Sequence, residues 1–220
     1  MYKGILLDLD NTLYQYQALH ELAFSKQIAY LAAISSNTIE EITAAYSTAK
    51  TVVKNTLPAT ASSHNRLLYA QITCELLSLD ALSHSLKLYN IYWDSFIQEL
   101  KLSQDALQFF ANYGHLPICL VTDLTADIQH KKIAHLELMK WVNFVVTSEE
   151  AGCEKPHPFI FDLALRKLNL ASSQVCMIGD NYQKDIIGAK QLGIHAYWLS
   201  PDEYKEDGIT QVASLGDIRW

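Results

Sequence analysis

The rhythm of apolar and polar positions changes twice along the chain. Gly4 to Leu9 is a short apolar run ending in carboxylates, the pattern of a strand buried on both faces whose end opens on a polar site. From Ala18 the period becomes helical: Leu19, Leu22, Ala23, Ile28, Leu31 and Ile34 recur on one face, and the run stops at Ser35, Ser36 and Asn37. A capping box, Asn37 with Glu40 or Thr38 with Glu41, opens a second helix to about Lys54. Pro58 and the pair Ser62 and Ser63 precede a third helix near His64 to Leu77, and a fourth covers Ser85 to Gln98. Four helices with short links predict a helical bundle.

Beyond residue 100 helices and strands alternate. Helices are expected over Asp105 to Tyr113, Ala126 to Leu138, Pro158 to Leu168 and Lys184 to Leu192. Strands are expected over Leu116 to Thr122, Val142 to Thr147, Val175 to Gly179 and Ile194 to Leu199. With the first strand this makes five apolar strands separated by helices, the signature of an α/β fold with a parallel sheet and right-handed crossovers. Residues 1–14 and 101–220 form this Rossmann-like core, and the all-helical segment 15–100 is inserted after its first strand.

Glycine placement sharpens that division. Between Gly4 and Gly114 there is none, and only Pro58 among five prolines falls there; a β-rich stretch of that length would need turn glycines. Half of the 220 residues are apolar and 19% are charged, which excludes a disordered or low-complexity chain. The net charge of -7, with no Lys/Arg cluster, argues against nucleic acid as a partner. Residues 14–101 hold 7 acidic and 6 basic side chains, so the acidity belongs mainly to the sheet segment, including an acidic loop over 202–207. Four cysteines without a C-x-x-C pair are expected to be reduced thiols, the N-terminus has no signal-peptide pattern, and no apolar run approaches a membrane span. A cytoplasmic protein is the expectation; nothing in the chain specifies an oligomeric state.

In open parallel sheets ligands bind beyond the carboxyl ends of the strands. Polar groups recur at those ends: Asp8 with Asp10 and Thr12, then Thr122, then Lys155, then Asp180 with Asp185. Asp8 and Asp10 are two apart, a spacing that starts their side chains toward one face of a strand. Carboxylates converging on one site repel, which calls for a hard divalent cation or a shared proton. Asp180 adds a further oxygen, and Mg²⁺ takes one or two carboxylates together with waters and phosphate oxygens. Lys155 and the Thr122 hydroxyl supply a positive charge and a donor for an anion. The set fits phosphoryl transfer better than a structural ion site.

Four segments carry a family resemblance: LDLDNTLY at 7–14, LVTD at 120–123, EKPHPFIF at 154–161 and IGDNYQKDIIGAKQLG at 178–193. They resemble the four ordered motifs of the haloacid dehalogenase-like (HAD) hydrolase superfamily, over about residues 1–15 and 100–200. The resemblance implies a type 1 helical cap directly after the first motif, where the glycine-free bundle lies. It implies Asp8 as nucleophile, giving an aspartyl-phosphate, and Asp10 as the acid that protonates the leaving oxygen and then activates water. Thr122 and Lys155 would hold phosphoryl oxygens, and Asp8, the Asp10 backbone carbonyl, Asp180 and Asp185 would surround Mg²⁺. An acid at position 10 favours phosphate esters over carbon–halogen bonds.

One position departs from the family. Asp123 stands in the phosphate-binding segment where the family usually has Asn, and an extra carboxylate there weakens phosphate binding unless it points away or is neutralised. The expected activity is Mg²⁺-dependent hydrolysis of a small phosphorylated metabolite, a nucleoside monophosphate or sugar phosphate. The alternatives are a β-phosphoglucomutase-type phosphomutase and a non-catalytic phospholigand-binding protein. Seven of twelve tyrosines lie between residues 14 and 101 and are expected to serve the bundle core, with Tyr14 and Tyr16 set apart by following the first motif directly. Lys26, Lys50, Lys54 and Arg66 are candidates for a second anionic group, or lie on solvated faces. His157 is expected to belong to a helix start.

Overall fold

The structure is a computed structural model and describes residues 2–200 and 206–220. The chain divides into two compact units, one formed by the residues up to Gln15 together with Lys101–Trp220, the other by Tyr16–Leu100.

The first unit is built on six parallel strands in the order β3-β2-β1-β4-β5-β6. These are β1 (Gly4–Leu7), β2 (Ile118–Thr122), β3 (Phe144–Thr147), β4 (Val175–Gly179), β5 (His195–Leu199) and β6 (Ile209–Val212). β1 lies between β2 and β4, with Leu7 opposite Leu120 on one side and Ile178 on the other. All its residues are buried, which is why this segment is apolar throughout rather than alternating. The order reverses direction between β1 and β4, so the crevice outside those two strand ends is where such a sheet takes a ligand.

Helices of this unit are α5 (Gln104–Tyr113), α6 (Ala126–His135), the short α7 (Ser148–Ala151), α8 (Pro158–Leu168) and the short α9 (Gly188–Lys190), numbered after four helices of the other unit. Ile160, Phe161 and Ala164 of α8 pack with Leu6, Cys119, Val121 and Met177 in one buried cluster. Pro158 at its first turn needs no N–H partner, and His157 caps it by accepting from the Phe159 N–H at 3.2 Å. Gly188 packs against Phe161, where a Cβ would come within 2.7 Å of the ring.

Two expectations are corrected here. The sheet has six strands rather than five: β6 is half-exposed, polar at Thr210 and Gln211, and lies at an edge, so its pattern carries no strong apolar run. The helix expected over 184–192 is instead a π-helical turn, Tyr182–Ile187, running into α9. The acidic loop at 202–207 lies largely outside the described residues; within them, Glu206 pairs with Lys190.

The second unit contains α1 (Tyr16–Ile34), α2 (Ile39–Thr56), α3 (Arg66–Leu76) and α4 (Ala81–Glu99). Thr38 and Glu41 form the capping box of α2, and Asn65 and Asp80 cap α3 and α4 through side-chain oxygens. The four helices bury Leu31, Ile42, Ala70, Cys74 and Leu88 in one cluster and Tyr46, Val53 and Tyr69 in another. All four cysteines are free thiols, and among the described residues no helix is long and apolar enough to cross a membrane.

Candidate active site

β1 ends at Leu7, so Asp8 and Asp10 lie just past the strand rather than on it. The two-residue period expected to bring their side chains to one face stops before them, and the two carboxylates take different partners. Asp8 donates its N–H to the Ile178 carbonyl at 2.9 Å, which fixes its backbone against β4. Its Oδ1 accepts from Lys155 Nζ at 2.6 Å, and its Oδ2 accepts from the Thr12 hydroxyl at 2.9 Å. Asp10 turns to α6: Lys132 Nζ lies 2.6 Å from its Oδ1 and Gln129 Nε2 is 3.0 Å from its Oδ2. The Tyr14 hydroxyl also donates to Asp10.

Lys155 joins several strand ends. Its ammonium donates to Asp8 and to the Val121 carbonyl, and lies 2.7 Å from Asp185 Oδ1. The adjoining Lys155–Pro156 peptide is cis. Asp185 is reached from the π-helical turn, where its Oδ2 accepts from the Asn181 N–H. Gly179 at the end of β4 makes room for it: a Cβ there would come 2.4 Å from Asp185 Oδ2.

Asp8, Asp180 and Asp185 offer carboxylate oxygens that all lie within 4.8 Å of one another. Burial pushes Asp8 up to about 7; Lys155 opposes this and Asp185 adds to it. Asp180 is raised to about 6 by burial and by Asp8, and Asp185 is raised by burial despite Lys155. The Lys155 ammonium is held well above its usual range: burial disfavours the charge, but Asp185 and Asp8 outweigh it. Asp10 goes the other way. Burial would raise it, yet Lys132, Tyr14 and Gln129 together hold it below the ordinary carboxylate value. Two carboxylates two residues apart are thus driven in opposite directions by their surroundings, a common arrangement in acid–base sites.

The remaining predicted residues line the same cleft of about 170 Å³. Thr122 is fully buried, and its Oγ1 accepts from Gln129 at 2.6 Å. Asp123 is neutralised: its Oδ2 lies 2.8 Å from Lys184 Nζ, and its Oδ1 accepts the Lys155 N–H at 3.0 Å. Lys184 also pairs with Glu154 at 3.0 Å, and these acids raise its basicity against the effect of burial. Lys184 lines this cleft, and Gln129 and Lys132 bond to Asp10; none of the three was marked as a site residue by the motifs. Gln129 and Lys132 are spaced i, i+3 on α6 and are both fully buried, whereas KK at 131–132 reads as a solvated pair.

Comparison with known proteins bears on this geometry. A family model described as a haloacid dehalogenase-like hydrolase matches residues 2–193. The chain belongs to that family. It is 33% identical over 208 residues to a ribulose-1,5-bisphosphate 5-phosphatase of Halopiger xanaduensis, a match covering 92% of this chain and 87% of that protein. A glyceraldehyde 3-phosphate phosphatase of Pyrococcus furiosus is 37% identical over 87 residues, 40% of this chain and 36% of that protein. The HAD-hydrolase YfnB of Bacillus subtilis, a structure bound to magnesium, superposes with a TM-score of 0.73 at 19% identity. That match covers 97% of this chain and 95% of YfnB and shows the shared fold. Within this haloacid dehalogenase-like hydrolase, the four motif segments all meet at the carboxyl ends of β1, β2 and β4 and in the loops beside them.

Proposed function

We propose that this chain, a haloacid dehalogenase-like hydrolase of the phosphoric monoester class, cleaves a small phosphorylated metabolite through an aspartyl-phosphate on Asp8. The observation that carries the reading is the convergence of Asp8, Asp10, Thr122, Lys155, Asp180 and Asp185 on one cleft. Asp8, held by Lys155 and Thr12 and ionised as it attacks, forms the bond to phosphorus, and the leaving oxygen departs with a proton from Asp10. Asp10 must take that proton up as the anionic substrate enters, since Lys132, Tyr14 and Gln129 otherwise hold it ionised. Asp10 then takes a proton from the water that hydrolyses the acyl phosphate, returning Asp8 to a carboxylate. Lys155 and the Thr122 hydroxyl offset the charge on the phosphoryl oxygens. Lys132, Gln129 and Tyr14 fix the orientation of Asp10.

The donor set fits Mg²⁺. Three clustered carboxylates raised by burial and mutual repulsion provide hard oxygens whose charge a divalent cation offsets. Asp8, Asp180 and Asp185 would hold it, together with the Asp10 backbone carbonyl. When bound, the ion supplies charge neutralisation between the attacking carboxylate and the phosphate. A sugar phosphate is the first substrate class to examine, because the relative that matches most of this chain is a sugar-bisphosphate phosphatase by name. Nucleoside monophosphates are the second.

Release of p-nitrophenol from its phosphate ester tests the reading, with Mg²⁺, with EDTA, and in Asp8→Asn. Metal-dependent turnover abolished by that substitution is expected; its absence in the wild-type protein across a panel of sugar phosphates and nucleotides refutes the proposal.

A further inference from the structure

Arg66 opens α3 within the helical unit, and its surroundings are unusual for an arginine. The guanidinium donates to the Tyr46 hydroxyl at 2.5 Å and to the Tyr16 hydroxyl. Its carbon lies 3.9 Å from the centre of the Tyr92 ring, with Trp93 and Tyr69 at 5.5 and 5.9 Å. The hydroxyls are themselves linked: Tyr16 to Tyr92 at 3.2 Å, and Tyr92 to His20 Nδ1 at 2.8 Å. Tyr46, Tyr69, Tyr92 and Trp93 are buried, so the guanidinium packs on core rings and not on a surface stack.

No carboxylate pairs with Arg66 among the described residues, although the unit carries seven acids. Four of them serve elsewhere: Glu21 accepts from Gln17, Glu41 closes the α2 capping box, Glu75 accepts from Gln71, and Asp80 caps α4. His20 adds no second positive charge there, because burial, Arg66 and Lys50 lower it to about 4. Two of the five guanidinium N–H donors are used on neutral hydroxyls. A half-buried permanent cation with only hydroxyl and π partners lacks the compensation that buried charges require. By contrast Lys26, Lys50 and Lys54 are exposed, which leaves Arg66 as the cation of the insertion that is built into a site.

We propose that Arg66, with the Tyr16 and Tyr46 hydroxyls beside it, is a binding site for an oxyanion, a phosphate or carboxylate group, within the helical unit. A planar guanidinium with unused donors matches such a group in bidentate fashion, and the aromatic wall keeps the pair from being screened. The site rests on the helical unit alone and stands or falls independently of the phosphatase reading.

NMR of the full-length protein tests it, because the chain has only three arginines and four tryptophans. The wild type is titrated with inorganic phosphate while the arginine Nε–Hε peaks and the Trp93 indole N–H peak are followed. A saturable movement of the Arg66 and Trp93 peaks is expected, with Arg166 and Arg219 still. In Arg66→Lys the Trp93 movement should require at least about fivefold more phosphate, the dispersed indole peaks showing that the variant is folded. No saturable movement, equal movement of all three arginines, or an unchanged Trp93 titration in Arg66→Lys would overturn the proposal.

Discussion

The Lys155 ammonium lies 2.6 Å from the Asp8 carboxylate, and both groups are almost wholly withdrawn from solvent. The pair is not simply a stabilising bridge, because Asp185 competes for the same ammonium at 2.7 Å. One cation serving two buried acids leaves net negative charge at the strand ends.

Replacing that cation should therefore be severe. In Lys155→Met, Asp8 and Asp185 face each other without compensation, and breaking a buried ion pair on one side costs about 3–5 kcal/mol. Loss of a group that offsets developing charge lowers turnover by about 10²–10³-fold. Thermal denaturation and p-nitrophenyl phosphate hydrolysis check both effects; a variant as active and as stable as the wild type contradicts the assignment of Lys155.

The same repulsion sets the pH dependence of the metal-free protein. Asp8 at about 7 and Asp180 at about 6 lie above their unfolded value of about 3.9. The folded state thus binds more protons than the unfolded chain between those values, and the stability this contributes is full at low pH and lost as pH rises through about 6 and 7. Asp10, being lowered, contributes with the opposite sign, and its share is lost only as pH falls below the folded value. Melting temperature in EDTA should fall between about pH 5 and pH 8, whereas Mg²⁺ should flatten that decline by binding the deprotonated folded state. A metal-free melting temperature that rises across this interval counts against the clustered carboxylates.

The parts of this arrangement legible in the sequence are those carried by local pattern. The apolar run before Asp8, the Thr38 and Glu41 capping box and the Pro158 helix start were each readable because their physics lies within a few residues. Asp8, Thr122 and Asp180 stand at or next to strand ends, which order and spacing make visible; Lys155 lies beyond α7 rather than at the end of β3. What pairs with them was not readable. Lys132 is 122 positions from Asp10 and Lys184 is 61 from Asp123, and neither burial nor partner is encoded near either lysine. β6 escaped because an edge strand needs only one apolar face, and one buried residue followed by three half-exposed ones does not form a period.

Lys132 offers a test of how Asp10 is tuned. The ammonium is fully buried and holds Asp10 low at 2.6 Å, so Lys132→Met leaves the carboxylate with Tyr14 and Gln129 only. Loss of a close opposite charge raises a carboxyl pKa by about 1–3 units. The limb of the pH profile of kcat/KM that reports Asp10 should move upward by that amount. An unmoved limb means that Lys132 does not govern the protonation of Asp10.

Lys184 and Asp123 form the pair in which this chain departs from its family's usual Asn, and a double substitution separates compensation from coincidence. Alone, Lys184→Ala exposes the phosphate site to the Asp123 carboxylate, since Glu154 and Asp123 both lose their cation. Like-charge repulsion of that kind should raise KM for p-nitrophenyl phosphate about tenfold, equivalent to about 1.4 kcal/mol. Asp123→Asn retains an oxygen to accept the Lys155 N–H that Asp123 now accepts at 3.0 Å, so it removes charge without removing that bond. The double variant Asp123→Asn with Lys184→Ala should then recover most of the lost KM, within about threefold of the wild type, as expected for two coupled neighbours. Additive losses in the double variant would show that Lys184 acts on substrate directly and that Asp123 is not the charge it offsets.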